Sequence, residues 1–483
     1  MKVVLINVPH LVSQIFGIKG RMPQLVQKHL GIGYIAAGLE TKGHEVKYLD
    51  CSALGINIDQ AMDYLQQESP DLIGIPCFVH GRFLVYEMVE KIKRHFPEIP
   101  VVVGGPQVTL FPEQIFAECS HVSLVLRGEA DFTFAELATR LEEKKTIANI
   151  PGIMMRNNEG QIHYGPPPEP IQDLDSIPFP ARHVYAHELY NPIPMMLSLP
   201  YMVSEQVITS RGCEWRRCRF CYQSNPNMPH YRRRSPENVI AELRMLVDDY
   251  KVGFIVFNDD NFLFDEPWIE RFCELYRREK FTFKWHAVGR VVSVTPSMLL
   301  LVAQCGCVHV TYGFESGNQE TLNLIQKGTT LEQARNAVKW AHKAGLLVRG
   351  NILFGLPRET PEMAKKTIEF VKELDIDFVG FVPYHVLENT PLEEIALKEG
   401  HCIEHDNLSL ITPSYIPDTY DSAEEINRIL REAFWSFYLR PRYIAKVLWW
   451  VKNPRVWPSL FTRLVIAGKL FLYMRAPKQI KQP

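Results

Sequence analysis

The stretch RGCEWRRCRFCYQ, residues 211–223, places three cysteines within nine positions of the chain. Cys213, Cys218 and Cys221 follow the strand-like run EQVITS directly. Cysteines so closely spaced are small buried residues, zinc ligands or ligands of an iron–sulfur cluster. A structural zinc site normally takes four ligands, often as two C-x-x-C pairs, whereas three thiolates suit a four-iron cluster that keeps one iron open. The C-x4-C-x2-C spacing therefore favours a cluster.

Strand-like and helix-like segments alternate around this stretch, from residue 196 to residue 400. Six strands separated by helices predict a parallel barrel or a three-quarter barrel, with the cysteine loop after its first strand. The chemistry of such a barrel lies at the carboxyl ends of its strands. Successive strand ends carry FNDDNF (257–262), GFESGN (313–318) and GNILFGLPRET (350–360).

Residues 1–150 show the same alternation, beginning with the apolar run KVVLINV. The pattern predicts an α/β domain with a doubly wound parallel sheet, which binds ligands beyond the carboxyl ends of its strands. The predicted ends carry Cys77-Phe78, Gly104-Gly105-Pro106-Gln107 and Arg127-Gly128-Glu129. Glycines there either let the backbone approach a bulky flat ligand or form tight turns. No G-x-G-x-x-G follows the first strand, so a dinucleotide is disfavoured.

Two further regions flank the barrel. Residues 151–195 contain three consecutive prolines at 166–168 and predict an extended connector along the surface of both domains. Residues 401–483 are predicted to be helical, and the part from 431 to 483 carries eleven Lys or Arg against one acid, with four of the eight tryptophans. This composition suits a helix in a membrane interface or a lid over an apolar cavity. The alternative is a pair of helices docked on the barrel with a basic outer face.

Composition narrows the class of protein. The chain has 483 residues and a net charge of −2, so its overall charge does not indicate a nucleic-acid partner. Its ten cysteines have no regular disulfide-like spacing, its first residues do not form a signal peptide, and no apolar run reaches the roughly 18 residues of a spanning helix. We therefore expect a reducing, cytoplasmic setting, with the C-terminal region as a candidate for peripheral contact with the inner face of the membrane.

The cysteine stretch resembles the signature of radical S-adenosylmethionine (SAM) enzymes. That family has a partial barrel, three cysteines on the loop after its first strand, and an aromatic residue before the third cysteine, a place that Phe220 fills. The usual spacing is C-x3-C-x2-C, so this chain has one additional residue between Cys213 and Cys218. The resemblance implies a [4Fe–4S] cluster held by Cys213, Cys218 and Cys221, with SAM bound beside it and Phe220 among the cofactor contacts.

The same resemblance implies roles for residues at the strand ends. Glu315 and Ser316 are expected to bind the ribose hydroxyls of SAM. Asp259 or Asp260 is expected to bind its methionyl ammonium. Arg349 is expected to pair with its carboxylate, because a guanidinium matches the shape of that group.

Residues 1–150 resemble the cobalamin-binding domain through LGIGYIAAGLETKGHEVKYLD, GGPQVTLFPE and LRGEADFTFAELA. The resemblance implies that the strand ends contact cobalamin through Gly104, Gly105, Gln107, Gly128 and Glu129. The D-x-H-x-x-G signature that supplies an axial histidine in cobalamin mutases is absent. No axial histidine is therefore expected from this domain.

The order of these parts resembles the cobalamin-dependent radical SAM enzymes over residues 1–400. The resemblance implies a methyltransferase that acts on an unactivated carbon of a lipophilic small molecule of hopanoid, isoprenoid or tetrapyrrole type. The alternative is a radical oxidative cyclase, or another enzyme that forms C–C bonds, of the anaerobic chlorophyll-cyclase type. A cobalamin-binding sensor or carrier is the alternative that is not an enzyme, but the retained cysteines favour the enzyme. An electron donor such as flavodoxin or ferredoxin is the expected protein partner.

Overall fold

The computed structural model describes residues 1–9, 27–79, 81–190, 202–403 and 412–452, together with Pro454 and Trp457. These residues form two α/β units, each built on a mainly parallel sheet, and two C-terminal helices. Most of the basic and aromatic tail predicted beyond residue 452 lies outside the described residues.

The first unit is built on a seven-stranded sheet. Its strands are β1 (Lys2–Asn7), β2 (Glu45–Asp50), β3 (Leu72–Pro76), β4 (Val101–Gly104), β5 (Leu124–Leu126), β6 (Ile153–Arg156) and β7 (Ile162–Tyr164). They lie in the order β2-β1-β3-β4-β5-β6-β7, with β1 to β5 parallel and the last two strands antiparallel. This arrangement confirms the predicted doubly wound sheet. Its order reverses between β1 and β3, and such sheets bind ligands at that point, beyond the carboxyl ends.

Helices cover both faces of this sheet. They are α1 (Leu30–Thr41), α2 (Cys51–Leu54), α3 (Ile58–Glu68), α4 (Arg82–His95), α5 (Pro106–Leu110), α6 (Pro112–Glu118) and α7 (Thr133–Glu142). Successive strand side chains point to opposite faces. Val4 and Ile6 therefore pack in the core formed with α3, α4 and α6, while Val3 and Leu5 pack in the core formed with α1 and α7.

Residues 153–164 differ from the extended connector that the sequence predicted. They form a hairpin in which β6 pairs antiparallel with β5, with Leu124 opposite Met155. Extended connector chain was the wrong prediction for this segment, because a short strand is stabilised by pairing with the edge of β5 and has little signal of its own. The chain from 166 to 190 contains three short 3-10 turns and buries Leu174, Ile177 and Tyr185.

The second unit is an open barrel. Its strands are β8 (Ser204–Val207), β9 (Ser210–Arg211), β10 (Arg232–Arg233), β11 (Phe254–Phe257), β12 (Lys284–Gly289), β13 (Cys307–Glu315), β14 (Leu347–Phe354) and β15 (Phe378–Pro383). Six of them form a parallel sheet in the order β8-β11-β12-β13-β14-β15, and its two edge strands do not pair with each other. This confirms the predicted partial barrel. The short strands β9 and β10 pair with each other.

Helices follow the barrel strands. They are α8 (Pro236–Tyr250), α9 (Glu266–Arg278), α10 (Pro296–Gln304), α11 (Gln319–Leu324), α12 (Leu331–Lys343), α13 (Pro361–Leu374) and α14 (Glu393–Lys398). The five long ones begin after a Ser, Asp or Thr whose side chain accepts a hydrogen bond from a backbone N–H of the first turn. These caps fix where each loop at the carboxyl ends of the strands returns to the helical layer.

The C-terminal region packs on the last barrel strand. After a small hairpin of β16 (Gly400–Cys402) and β17 (Tyr415–Pro417) come α15 (Ala423–Tyr438) and α16 (Pro441–Val451). Ile426, Ile429 and Phe437 of α15 are buried in the barrel core. The Tyr438 hydroxyl donates to Val379 O at 2.7 Å and accepts from Val379 N at 3.1 Å, so α15 covers the free edge of β15. In the described part of the chain, no helix has the length and apolar character needed to span a bilayer.

Candidate active site

The three cysteines lie on the loop of residues 212–231, which begins and ends at the paired strands β9 and β10. Cys213, Cys218 and Cys221 are all partly buried, and the Cys221 N–H donates to Cys218 O at 3.0 Å. Burial raises the pKa of all three thiols, that of Cys221 to about 12. Binding of metal must therefore displace a proton from each thiol, as thiolate ligation requires.

The C-x4-C interval contains a left-handed backbone turn at Arg216. Arg216 adopts a φ of 49°, an uncommon value for a residue other than glycine. Its guanidinium donates to the carbonyl oxygens of Gln223 at 3.3 Å, Asn225 at 3.2 Å and Met228 at 2.8 Å. A left-handed turn therefore accommodates the longer interval, and Arg216 fastens it to the second half of the loop.

Trp215 anchors the same interval to the barrel. Its indole N–H donates to Gln326 O at 3.0 Å, and a Cβ added at Gly328 would lie 2.1 Å from its ring. The Arg290 guanidinium lies 4.3 Å from the centre of the indole ring. The cysteine loop is thus held at both of its halves, which reduces the motion available to the thiols.

Glu214 also joins the loop to the barrel. Its Oε1 accepts from Asn261 Nδ2 at 2.7 Å and lies 3.8 Å from Arg290 Nη1. The Arg290 N–H donates to Asn261 Oδ1 at 3.1 Å. We did not predict Glu214, Asn261 or Arg290 as site residues. The available signal was the position of Glu214 next to Cys213.

Two cations lie near the thiols. Burial raises the pKa of Cys218, and the charges of Lys327 and Arg290 act in the opposite direction. Phe220 packs on an apolar cluster that contains Leu322 and Ile325, and its ring lies 5.7 Å from Lys327 Nζ. Positive charge beside three thiolates offsets the negative charge that they bring into a partly buried loop.

The donor set fits a four-iron cluster. Within the described residues, no group of three His, Cys, Asp or Glu side chains is placed to hold one metal ion. A zinc ion needs its ligands to converge on one point, whereas each thiolate on a four-iron cluster binds a different iron. Three thiols on one anchored loop, with cations beside them, match a four-iron cluster, in which each thiolate binds a different iron.

Asp259 and Asp260 have different surroundings. Asp259 is buried and accepts hydrogen bonds from the Thr209 N–H at 3.1 Å, the Thr209 hydroxyl at 2.7 Å and the Ser210 hydroxyl. Asp260 is exposed and accepts from Gln223 Nε2 of the cysteine loop at 2.8 Å. The pKa of Asp260 is raised by desolvation and by neighbouring carboxylates. The structure therefore brings Asp260 to the cysteine loop, while Asp259 fastens the strand that leads into it.

Glu315 ends β13 and Ser316 follows it, and the two side chains make different contacts. Glu315 has a φ of 64° at an irregularity in the pairing of β13 with β14, and its carboxylate accepts from Lys327 Nζ at 2.7 Å. The buried Ser316 hydroxyl accepts from the Asn318 N–H at 3.1 Å and lies 3.4 Å from the Thr367 hydroxyl. Glu315 thus lies with the residues of the cysteine loop, whereas Ser316 hydrogen-bonds within the turn that follows.

Arg349 lies deeper in the barrel than the other predicted residues. Along the paired strands β13 and β14, Arg349 aligns with Thr311, and Ile352 aligns with Glu315. A strand rises about 3.3 Å per residue, so Arg349 lies about 10 Å below the level of Glu315. This depth separates Arg349 from Glu315 along the strand, and the expected pairing of Arg349 with the carboxylate of SAM stays a prediction. Lys327 is a cation at the level of the loop.

Gly105 and Gly128 adjoin at the carboxyl ends of β4 and β5. The Thr109 hydroxyl donates to Gly105 O at 3.0 Å and accepts from the Gly128 N–H at 3.0 Å. Both glycines have positive φ, 96° and 78°. A Cβ would lie 3.0 Å from Cys77 O at Gly105 and 2.6 Å from Pro168 Cβ at Gly128. The backbone therefore requires these two glycines whether or not a ligand is bound.

Gly104 is different, because its backbone tolerates a side chain. Among the described residues, a Cβ there would meet Leu126 O at 3.4 Å and no other atom within 4 Å. At the end of the neighbouring strand β3, Phe78 is 42% exposed and its ring centre lies 5.0 Å from that of His29. Burial lowers the pKa of His29, which favours the neutral imidazole. Open space at Gly104 and an exposed aromatic ring fit the approach of a flat, largely apolar ring system such as a corrin.

Gln107 and Glu129, the remaining predicted cobalamin contacts, are engaged within the protein. The Gln107 Nε2 donates to Gln114 Oε1 at 2.8 Å, whereas Gln107 Oε1 is buried without a hydrogen-bond partner among the described residues. The Glu129 carboxylate accepts from Arg232 at 2.7 and 2.8 Å and from the Ile171 N–H at 2.8 Å. Glu129 thus joins the first unit to the strand that ends the cysteine loop.

A second ion pair also joins the first unit to the strands that border the cysteine loop. Asp131 accepts from the Arg211 guanidinium at 2.8 and 2.7 Å, and Arg211 lies in β9, where the loop begins. The rings of Phe111, in the first unit, and Tyr222, in the cysteine loop, are 6.0 Å apart. The carboxyl edge of the first sheet therefore faces the cysteine loop, and the two candidate cofactor sites adjoin.

Comparison with known proteins agrees with this arrangement. Residues 207–371 match the model of the Radical SAM superfamily, and residues 24–138 match that of the B12 binding domain. A protein of Pyrococcus horikoshii, named as an uncharacterized methyltransferase, is 31% identical over 418 residues, which are 86% of this chain and 89% of the relative. The chain therefore belongs to the cobalamin-dependent radical SAM enzymes, whose cofactors are a [4Fe–4S] cluster, SAM and cobalamin.

Two further proteins are similar to this chain. The anaerobic magnesium-protoporphyrin IX monomethyl ester cyclase of Rubrivivax gelatinosus is 26% identical over 412 residues, which are 83% of this chain and 72% of the cyclase. The structure of the cobalamin-dependent SAM radical enzyme OxsB, with aqua-cobalamin and SAM bound, matches with a TM-score of 0.72 at 18% identity. That match covers 94% of this chain and 71% of OxsB, and it shows the fold.

Proposed function

We propose that this enzyme transfers a methyl group from SAM, by way of cobalamin, to an unactivated carbon of a small molecule. The observation that carries the proposal is the contact between the carboxyl edge of the first sheet and the cysteine loop, made by Glu129 with Arg232 and by Asp131 with Arg211. Methyl transfer needs a corrin beside the site where the substrate is activated. The relative named as a methyltransferase supports this function over others in the family.

Different residues of this chain would bind the different cofactors. Cys213, Cys218 and Cys221 would hold the cluster, Asp260 would receive the methionyl ammonium of SAM, and Glu315 would receive its ribose hydroxyls. Gly104 would leave room for the corrin. When bound, these cofactors supply one-electron reduction, hydrogen abstraction and the methyl group, and the protein supplies position and exclusion of water. Enzymes of this family need a reductant, for which a flavodoxin or ferredoxin is the proposed donor.

Radical cyclisation is the second candidate, supported by the similarity to the Rubrivivax cyclase. The residues that bind the cluster and SAM would be the same in both reactions, so the two candidates differ in the fate of the methyl group. The deciding experiment is anaerobic turnover of the reconstituted enzyme with SAM that carries a deuterated methyl group, cobalamin, a reductant and a cell extract. A methyltransferase gives a product with an intact CD3 group, detected by mass spectrometry. Unlabelled new products would contradict methyl transfer and support the cyclase.

We also propose a lipophilic substrate and peripheral contact with a membrane, supported by the outer face of α16. Leu448 and Trp449 are 63% and 68% exposed, and Ile444 lies beside them one turn earlier. Exposed apolar residues among basic ones are typical of interfacial helices. Two basic residues of α16 are already engaged by the barrel, since Arg442 pairs with Asp375 at 2.9 Å and Lys446 pairs with Asp377. Attraction to anionic lipid would therefore depend on other basic residues, including those beyond position 452.

A further inference from the structure

The two ends of the cysteine loop are joined by a very short ribbon, in which β9 and β10 contribute two residues each. Arg211 of β9 lies directly opposite Arg232 of β10. Like charges opposite each other on neighbouring strands are destabilising, and a two-stranded ribbon is only marginally stable by itself. The base of the cysteine loop therefore depends on groups outside the ribbon that offset this repulsion.

Two carboxylates of the first unit supply that charge. Asp131 accepts from the Arg211 guanidinium at 2.8 and 2.7 Å, and Glu129 accepts from that of Arg232 at 2.7 and 2.8 Å. Arg211 also lies 3.4 Å from Glu129, so the two arginines share the two acids. We call these four side chains the junction. Each arginine forms a bidentate pair, which fixes the angle of approach as well as the distance.

The junction is shielded from solvent. None of its four side chains is more than 20% exposed, and partly buried charges are screened weakly by salt. Burial acts to raise the pKa of Glu129, but its hydrogen bond with Arg232 and the charge of Arg211 lower it overall. Glu129 is therefore a charged partner of both arginines at neutral pH.

The opposite face of the ribbon is fastened to the barrel. Ser210 and Arg233 also lie opposite each other, and because strand side chains alternate they point away from the junction. The Ser210 hydroxyl donates to Asp259, and the Arg233 guanidinium lies 3.5 Å from the centre of the Trp268 ring. The ribbon thus contacts the barrel with one face and the first unit with the other.

Both candidate cofactor sites border the junction. In the barrel, a single residue separates Arg211 from Cys213. In the first unit, Glu129 follows Gly128, whose N–H donates to the Thr109 hydroxyl at 3.0 Å at the carboxyl edge of the sheet. A displacement at the junction would therefore move the thiols relative to that edge.

We propose that Arg211 and Arg232 are positioning residues, which bind Asp131 and Glu129 and thereby fix the cysteine loop at one place against the carboxyl edge of the first sheet. This inference rests on the proposed function, because methyl transfer needs the corrin in register with the site of substrate activation. It gives Glu129, a predicted cobalamin contact, a role that it exerts through Arg232. A misplacement of about 1 Å can lower a rate by about 100-fold, so the junction controls transfer without binding either cofactor.

The first test is pulsed EPR of the reconstituted full-length protein, with cobalamin in its paramagnetic Co(II) form and the cluster reduced. The magnetic coupling of these two centres depends on their separation. The wild type should give one narrow distance distribution. Arg211→Met and Arg232→Met should each give a broader or shifted distribution, with iron and cobalamin contents at the wild-type level. Arg232→Lys, which keeps the charge but not the bidentate contact, should give an intermediate result.

The matched control is Arg244→Met, which removes an exposed arginine that forms a bidentate pair with Glu279, and it should give the wild-type distribution. Unchanged distributions in Arg211→Met and Arg232→Met would overturn the proposal. Loss of iron or of cobalamin from Arg232→Lys would also overturn it, because the junction would then hold a cofactor rather than position it.

A double variant separates the two roles of Glu129. If Glu129 acts only through Arg232, then Glu129→Gln combined with Arg232→Met should give the same distance distribution as Arg232→Met alone, with wild-type corrin absorbance. Loss of corrin absorbance in the double variant, when Arg232→Met retains it, would show that Glu129 contacts cobalamin and would overturn this role.

Turnover with SAM that carries a deuterated methyl group gives the functional measurement. Arg211→Met and Arg232→Met should form about 10- to 100-fold less CD3 product per molecule of SAM cleaved, while cleavage itself continues. An unchanged ratio would overturn the proposal. Failure of the proposed function has a different result, namely a wild type that transfers no methyl group although its distance distribution depends on the two arginines.

Discussion

Glu359 provides a test of how the turn after β14 is stabilised. It is fully buried, and its Oε2 accepts from the Gly355 N–H at 2.5 Å and from the Tyr420 hydroxyl at 3.1 Å. Its other carboxylate oxygen is buried and has no hydrogen-bond donor in the described part of the chain. Burial raises the pKa of Glu359 from its ordinary value of 4.5 to about 7, although the two hydrogen bonds act to lower it. Glu359→Gln replaces the carboxyl by a neutral amide of nearly the same shape.

The raised pKa of Glu359 sets the direction in which the free energy of unfolding changes with pH. The folded protein retains the proton of Glu359 between pH 4.5 and about 7, where the unfolded chain has released it. The stability that this group contributes is therefore complete below pH 4.5 and is lost as the pH rises through 7. The pKa difference corresponds to about 3 kcal/mol in total, of which about 2 kcal/mol is lost between pH 5.5 and pH 8. The stability of Glu359→Gln should not fall in this way, because an amide does not ionise.

The assay is thermal unfolding of the wild type and of Glu359→Gln from pH 5.5 to pH 8, under nitrogen. The melting temperature of the variant relative to the wild type should rise by about 2 °C across this range, because the entropy of unfolding of a chain this long is about 1 kcal/mol/K. Glu332→Gln, at an exposed position, is the matched control and should show no such trend. A constant difference between wild type and Glu359→Gln at every pH would refute the reasoning, because it would mean that folding does not change the ionisation of Glu359.

Three further predictions concern the cofactors and the membrane. Replacing all three loop cysteines by alanine should abolish the roughly four iron and four sulfide per chain expected after anaerobic reconstitution, and retention of both would exclude these ligands. Gly104→Phe should remove corrin absorbance from protein purified with cobalamin while iron content stays at the wild-type level. Gly105 is unsuitable for this test because of its positive φ, and normal corrin binding by Gly104→Phe would place cobalamin elsewhere. A chain ending at Lys452 should sediment less with anionic liposomes than the full chain, with a difference that shrinks in salt, since each basic residue near the surface contributes about 1 kcal/mol. Equal sedimentation would leave the tail without a membrane role.

The amino-acid sequence determined the features that depend on local spacing. The cysteine triplet follows from nine consecutive residues, and its place after a strand needs no knowledge of distant contacts. The caps of the barrel helices are also local, because Ser235 and Thr360 lie directly before the prolines that begin α8 and α13. Continuous apolar runs such as β1 predicted strands covered on both faces, and the two cores of the first sheet have that form.

Tertiary structure decided which polar residues meet. Asp259 and Asp260 are neighbours in the sequence, but one lies against Thr209 and the other reaches Gln223, because adjacent side chains leave a strand end in opposite directions. The depth of Arg349 depends on the register between β13 and β14, which the local sequence does not encode. The pairing of Glu129 with Arg232 joins residues 103 positions apart. The sequence alone thus identified the cofactor chemistry, and only the packing of one unit on the other decided which charges lie at the cysteine loop and which join the two units.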